Sequence, residues 1–431
     1  MTPTLATAKV VPASLRANAK RYFQFSLLLL AAGSIYPLLY LRQSYEITVL
    51  KAFDLTSADL NGFYAILGVV YALSYLPSGW LADKFSPRLL IAFSLWLVGA
   101  LGFWFSTYPS KMALSIIFTG WGIAAGLTFW AALIKGVKLL AESAEQGRFF
   151  GILDGGRGLI EAVLATIAVS IFAYMSSLGA PPQEILQPVI YLYSITCVVI
   201  GVLVLIFLSG SQEDRSDDDA AGQDAGAFAN FLAVVKIPQI WLLAFIVFTG
   251  YQLFWATYSF SAYLQEGYQV TAVAAGVIIV AKLWTRPLAG IAAGFLGDRF
   301  SSHLVLATSM TLASLGLLSL GFFPQAISTY FLLIVVILIG GMTYAVRGLY
   351  WALLDGCNVS VKMAGMAIGV VSVIGYLPDV FLPMINVAIM ARYPGVEGYH
   401  LYYSYIAVCG LLGAGVSVYF GNMTNTKKAG Q

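Results

Sequence analysis

Charge is what this chain has least of. Of its 431 residues only 10% are Asp, Glu, Lys or Arg, against roughly 25% in an average soluble domain. Too few charges remain to build a water-facing surface, and 60% of the chain is hydrophobic. Soluble enzyme, nucleic-acid binder and disordered chain are excluded on that ground. Histidine is nearly missing too: His303 and His400 stand far apart. The three cysteines, Cys197, Cys357 and Cys409, are an odd number in separate apolar runs. Neither a disulfide framework nor a zinc spacing can be drawn from them. No metal, no cofactor and no catalytic triad is expected. A glycine-rich phosphate loop ending in Gly-Lys-Ser/Thr is also lacking, so no nucleotide is expected to drive the protein. The basic start (Lys9, Arg16, Lys20, Arg21) precedes an apolar run longer than the ~7–15 residues of a signal peptide, without a small-residue cleavage site.

Long apolar runs are what the sequence does have. A bilayer core of ~30 Å takes about 20 mostly apolar residues as a helix. That ruler gives twelve spans, near 22–48, 58–82, 88–108, 112–135, 148–176, 186–209, 238–265, 271–297, 303–323, 327–355, 362–391 and 400–421. One stretch breaks the series: residues 210–230 carry Glu213, Asp214, Asp217, Asp218, Asp219 and Asp224 against Arg215 alone. Such a run reads as a solvated linker. The expected organisation is an N-terminal segment over 1–21, a six-helix bundle over 22–209, an acidic linker over 210–236, a second six-helix bundle over 237–421 and a tail over 422–431. Basic residues set orientation. With the N-terminus inside, the cytoplasmic loops and tails hold fifteen Lys or Arg and the outer loops only Lys51, Lys111 and Arg392. A multi-pass protein of a bacterial inner membrane is expected, with both termini and the linker in the cytoplasm.

The two halves resemble each other. Gly79-Trp-Leu-Ala-Asp83-Lys84-Phe85-Ser86 follows span two, and Gly294-Phe-Leu-Gly-Asp298-Arg299-Phe300-Ser301 follows span eight. Phe129-Trp130-Ala-Ala-Leu-Ile-Lys135-Gly136 ends span four, and Tyr350-Trp351-Ala-Leu-Leu-Asp355-Gly356 ends span ten. Two echoes at nearly one offset argue for a duplicated six-helix unit.

On these residues the chain resembles the major facilitator superfamily. Its loop signature is matched by Gly79, Leu81, Asp83, Lys84 and Arg88, with Ser86-Pro87 where Gly-Arg is usual, and more weakly by Gly294, Asp298 and Arg299. Gly79 would let helices pack closely, Asp83 would cap a helix N-terminus, and the basic residues would hold the cytoplasmic face closed. Asp83-Lys-Phe-Ser-Pro87-Arg88 is also similar to the form seen in the organophosphate:phosphate antiporter branch. Tyr40-Leu41-Arg42 resembles that branch's first-helix arginine. The sequence departs from the branch twice: its second arginine, on helix seven, and its lysine in span two have no counterpart, since 237–265 and 60–82 are uncharged. The resemblance implies an all-α fold of twelve helices in two pseudo-symmetric bundles, working by alternating access.

Charges inside spans cost about 2.5–3.5 kcal/mol each at a helix centre, so they normally face the interior. Span five carries Asp154, Arg157 and Glu161 at i, i+3 and i+7, on one helix face. Span eight carries Lys282 and Arg286. Gly151 with Gly155, and Gly290 with Gly294, form small-residue strips, and in the family fold helices five and eight meet between the halves. These charges, with Asp379 beside Pro378 in span eleven, are the expected proton-coupling network. A static cluster joining the halves is the competing reading, and Arg157 and Glu161 are spaced to neutralise each other. The expected substrate-binding set is Arg42, Glu46, Trp130, Tyr251, Gln252, Trp255, Arg347, Tyr350 and Trp351. Arg42 has an outer-interface position as its alternative, and Arg347 has pairing with Asp379 or Asp154. Lys135 and Asp355 are read as snorkelling or as a cytoplasmic gate pair.

Five intramembrane bases face four acids, which favours an anionic or zwitterionic substrate. The sequence therefore reads as a secondary transporter of a small organic anion or polar metabolite, driven by protons or a counter-substrate. It is expected to act as a monomer in the bilayer, with no nucleic-acid partner. A multidrug exporter and a transporter-like sensor are the alternatives.

Overall fold

The computed structural model describes residues 13–140, 146–209, 231–322, 328–359 and 364–429. Among them no strand occurs. Helix α1 runs Ala13–Ser34 and continues through Tyr36–Leu39 and Arg42–Ala52. Next come α2 (Ser57–Lys84), α3 (Pro87–Phe105), α4 (Lys111–Leu140), α5 (Gln146–Ser177) and α6 (Pro182–Phe207). The second half holds α7 (Pro238–Tyr268), α8 (Ala272–Arg299), α9 (Ser302–Phe322) and α10 (Thr329–Cys357). It ends with α11, in two pieces (Ala364–Gly375 and Pro378–Arg392), and α12 (Val396–Ala429). Eleven helices are long and apolar enough to cross a membrane, and α2, with 28 residues, is the twelfth. The fold is all-α, with twelve spans in two six-helix bundles. Residues 1–12 and the acidic run 210–230 lie outside the described residues. Of the expected tail, residues 422–429 continue α12.

Local chemistry starts the helices where they start. Thr56 caps α2 reciprocally: its hydroxyl accepts from the Asp59 N–H, and the Asp59 carboxylate accepts from the Thr56 N–H. Ser110 and Thr271 cap α4 and α8 in one direction only, their hydroxyls accepting from the Ala113 and Ala274 N–H groups. Pro87, Pro182 and Pro238 stand in the first turn of α3, α6 and α7, where a missing N–H costs nothing. Large apolar side chains such as Met112, Phe295 and Phe322 lie on the outside. Backbone polarity is satisfied within each helix, which is what a lipid solvent demands.

Five helices depart from regular α geometry, four of them midway and α10 at its end. Tyr45 in α1 departs from helical φ/ψ, and α4 widens to a π-helix over Ile123–Phe129. α7 tightens to 3-10 geometry over Thr257–Ser259, and α10 does so over Tyr350–Cys357. α11 breaks at Tyr376–Leu377, directly before Pro378. Proline and non-α turns are the usual causes of such bends. All five helices contribute to one central cavity.

The halves meet along α2 with α11 and α5 with α8, and α1 leans on α7 and α8. The first two pairings are related by the internal repeat. Away from the basic loops, the Ser261 hydroxyl donates to the Ser44 carbonyl at 2.8 Å and the Asn61 amide to the Asn386 side-chain oxygen at 3.1 Å. Tyr40 stacks on Tyr258 across the divide, with centroids 4.9 Å apart. Nearer the basic loops the packing differs from expectation. Gly79, Gly155, Gly290 and Gly294 have open space beside them. Close approach of α5 to α8 falls instead on Gly158, where a methyl group would press on the Arg286 stem. At Gly68, α2 meets α11 so tightly that a methyl group would run into the Asp379 carbonyl. Gly68→Val is expected to cut transport about tenfold or more, since overpacking of this kind costs ~1–3 kcal/mol. Flux equal to that of the unchanged protein, at equal membrane insertion, would contradict this crossing.

Candidate functional site

The cavity lies at mid-height between the bundles and holds about 750 Å³ of empty space, counting its mouth. The first half supplies Tyr36, Tyr40, Gln43, Tyr71, Trp130, Arg157 and Glu161. The second supplies Tyr251, Phe254, Tyr258, Arg286, Arg347, Tyr376 and Asp379. Among the described residues Ala125 and Gly126 complete the wall, and no branched aliphatic side chain among them faces the space. Aromatic walls exclude water without adding flexible side chains, which strengthens every charge they surround.

Two guanidinium groups in this wall have no carboxylate within ion-pair distance among the described residues. Arg157, 8% exposed, lies over the rings of Tyr36 at 4.9 Å and Trp130 at 5.8 Å, and its Nε has no hydrogen-bond partner. Arg347 lies over Phe254 at 4.3 Å and Tyr251 at 5.8 Å. Each half thus presents one arginine, held by its plane against aromatic faces. Cation–π contact fixes such a group while leaving its N–H fork free for an oxyanion.

The third guanidinium is committed. Arg286 on α8 reaches Glu161 on α5 at 2.5 Å and Asp154 at 3.5 Å. Arg286 is 5% exposed at its side chain, whereas Asp154 is 49% exposed. Glu161, expected as a partner for Arg157 one turn away, is turned across the divide instead. Lys282, fully buried, donates to the Thr257 hydroxyl at 3.1 Å, and its stem runs against Gly340. Asp379 stands in the first turn of the second piece of α11. It accepts from the Tyr251 hydroxyl at 2.9 Å and from the Trp255 indole at 2.5 Å.

Of the expected substrate-binding residues, Trp130, Tyr251 and Arg347 line the cavity. The others lie elsewhere. Arg42 and Glu46 pair with each other at 2.7 Å, both buried, in the last piece of α1, Arg42–Ala52. Arg42 also donates to Asn61 at 2.9 Å and lies over the Tyr64 ring. Through Asn61 and Asn386 this pair is tied to α11. Gln252 is fully buried with both amide atoms unpartnered. Tyr350 bonds to Tyr376 at 3.2 Å behind the wall, and Trp351 packs on Tyr350. Trp255 is behind Asp379. Of the network residues, Arg157, Glu161, Arg286 and Asp379 line the cavity, with Asp154 and Lys282 adjoining.

Lys84 lies over the Trp80 ring at 4.0 Å and Arg299 over Phe300 at 5.7 Å. The Arg88 Nε is buried without a partner, and the side chains of Asp83 and Asp298 lie outside the described residues. Lys135 bonds to the Ala82 carbonyl at 2.7 Å, within its own half. Sequence reasoning missed Tyr36, Tyr40, Gln43, Tyr71, Phe254 and Tyr376 as wall residues. Tyr36 and Tyr40 stand four apart beside the break in α1, the one signal that pointed inward.

This arrangement, a twelve-helix bundle pair around a charged cavity, is that of a membrane transporter. The family described as Major Facilitator Superfamily matches residues 21–383, and the chain belongs to that superfamily of secondary transporters. It is 30% identical over 389 residues to the inner membrane protein YqcE of Escherichia coli, covering 88% of this chain and 90% of that protein. The inner membrane protein YihN of the same organism is 26% identical over 405 residues, covering 93% and 95%. Among solved structures, the fold is similar to the nucleoside transporter NupG, with a TM-score of 0.72 at 12% identity over 93% of this chain and 99% of that one. A bacterial homolog of the lysosomal transporter Spinster gives 0.63 at 17% identity over 94% and 98%. Transporters of this kind bind small molecules within the membrane.

Proposed function

We propose that the protein moves a small organic anion across a bacterial inner membrane by alternating access, together with a proton. The observation that carries this reading is the pair of uncommitted guanidiniums, Arg157 and Arg347, facing one cavity from opposite halves. An oxyanion between them would take charge-assisted, bidentate hydrogen bonds from both bundles and so favour their closure around it. The described wall residues add charged groups, polar groups and ring faces with no branched aliphatic side chain, which disfavours the multidrug alternative.

The position of Asp379 supports the proton. Of the three carboxylates in and beside the cavity, Glu161 and Asp154 pair with Arg286, whereas Asp379 has no ion pair among the described residues and is held by the Tyr251 hydroxyl and the Trp255 indole. Open space beside Gly79, Gly155, Gly290 and Gly294, and the exposure of Asp154, support access from the basic end, which the fifteen-to-three charge bias assigns to the cytoplasm. The cavity is completed within one chain, consistent with a working monomer.

The test is transport in proteoliposomes, after a stabilisation screen of carboxylates, phosphate esters and sugar acids. An inward proton gradient is expected to drive accumulation of the anion. Asp379→Asn is expected to lose that accumulation while keeping anion-for-anion exchange, because a fixed neutral group no longer releases its proton. Uptake indifferent to pH in the unchanged protein would replace proton coupling by exchange.

A further inference from the structure

Asp379 is held by two donors that use the same oxygen. The Tyr251 hydroxyl and the Trp255 Nε1–H both reach Oδ1, at 2.9 and 2.5 Å, and Oδ2 receives no hydrogen bond from the described residues. Tyr251 and Trp255 are four residues apart on α7 and share a face. Their surroundings differ: Tyr251 belongs to the cavity wall, whereas Trp255 is 3% exposed and lies behind it. An indole can only donate. It therefore binds the ionised carboxylate better than the protonated acid.

We infer that Trp255 is a positioning residue for proton coupling: it touches no substrate, fixes Asp379 Oδ1, and sets the pH at which Asp379 accepts its proton. This rests on the reading of Asp379 as the proton carrier. The other groups around that carboxylate are Arg347 from α10, Tyr36 and Tyr40 from α1, Tyr71 from α2, Tyr258 from α7 and Tyr376 on α11 itself. Arg157 and the Arg286–Glu161 pair share the same cavity. Trp255→Phe keeps the ring, removes the N–H and leaves all of these in place, so it isolates the indole.

The experiment is the pH dependence of proton-driven uptake in proteoliposomes, with KM measured well below the midpoint. Trp255→Phe is expected to move the midpoint up by about one pH unit, as loss of a hydrogen bond to a charged group would. KM at low pH should stay unchanged, because the protonated form has little use for the indole. An unmoved midpoint overturns the inference. So does a KM raised equally at every pH, which would make Trp255 a substrate ligand. If Trp255→Phe does not fold, Tyr251→Phe removes the second donor, and the same upward shift is required of it. Asp379→Asn separates the layers. Retained pH dependence there overturns the proton-carrier reading and this inference with it. Lost dependence there, with the Trp255→Phe midpoint unmoved, overturns the positioning role alone.

Discussion

Replacing Arg347 by alanine is expected to weaken binding of the transported anion on the order of 100-fold, since losing one partner of a desolvated charge pair costs ~2–5 kcal/mol. Arg347 has no carboxylate to release, so the loss falls entirely on the ligand. Arg347→Lys should recover part of the affinity: it keeps the charge but not the planar fork stacked over Phe254, 4.3 Å away. Arg157→Ala should behave likewise from the other half. Affinity is read by ligand-dependent thermal stabilisation or counterflow. An Arg347→Ala protein with unchanged affinity would remove this residue from the site.

The second large effect concerns Arg286. Glu161→Gln leaves Asp154, 3.5 Å away, as the one carboxylate paired with this buried guanidinium among the described residues, and breaking a buried pair in this way costs about 3–5 kcal/mol. A clear fall in the thermal midpoint in detergent is expected. Asp154→Asn should cost less than about 1 kcal/mol, because a half-exposed partner is screened. The reverse order would mean that the α5–α8 junction is held differently from the geometry described here.

Composition alone made the architecture readable. Twelve long apolar runs, a basic bias to one side and the echo of Gly79–Ser86 in Gly294–Ser301 left little room for another fold. Which charges share the cavity was harder to read. Spacing along one helix cannot say which neighbour a side chain meets. Arg157 and Glu161 are placed to pair by sequence, yet the rotation of α5 turns one to Tyr36 and Trp130 and the other to Arg286. Arg42 and Arg347 are both expected in the substrate set by sequence; Arg42, four residues before Glu46, is tied down by it and by Asn61, whereas Arg347 meets rings and no carboxylate among the described residues. Aromatic spacing sets Tyr251 with Trp255 and Tyr36 with Tyr40 on shared helix faces, but it does not say which faces meet the cavity. Trp80, 58% exposed, and Tyr258, 6% exposed, have similar chemistry in similar runs, and only the packing of the bundles separates the outer face from the cavity wall. The irregular turns at Ile123–Phe129 and Thr257–Ser259 likewise depend on tertiary packing, whereas Pro378 announced the break in α11.

The central claim is that one anion is gripped by both halves through Arg157 and Arg347. A double-mutant cycle tests it most directly: affinity for one organic anion in the unchanged protein, Arg157→Ala, Arg347→Ala and the double variant. Each single change is expected to weaken binding on the order of 100-fold. The double variant is expected to cost less than the sum by at least ~1 kcal/mol, because the two arginines hold the same group. A control with Arg42→Gln and Glu46→Gln together, which neutralises that buried pair, should bind as the unchanged protein does. Strictly additive losses, or full affinity in either single variant, would contradict a shared ligand between the halves.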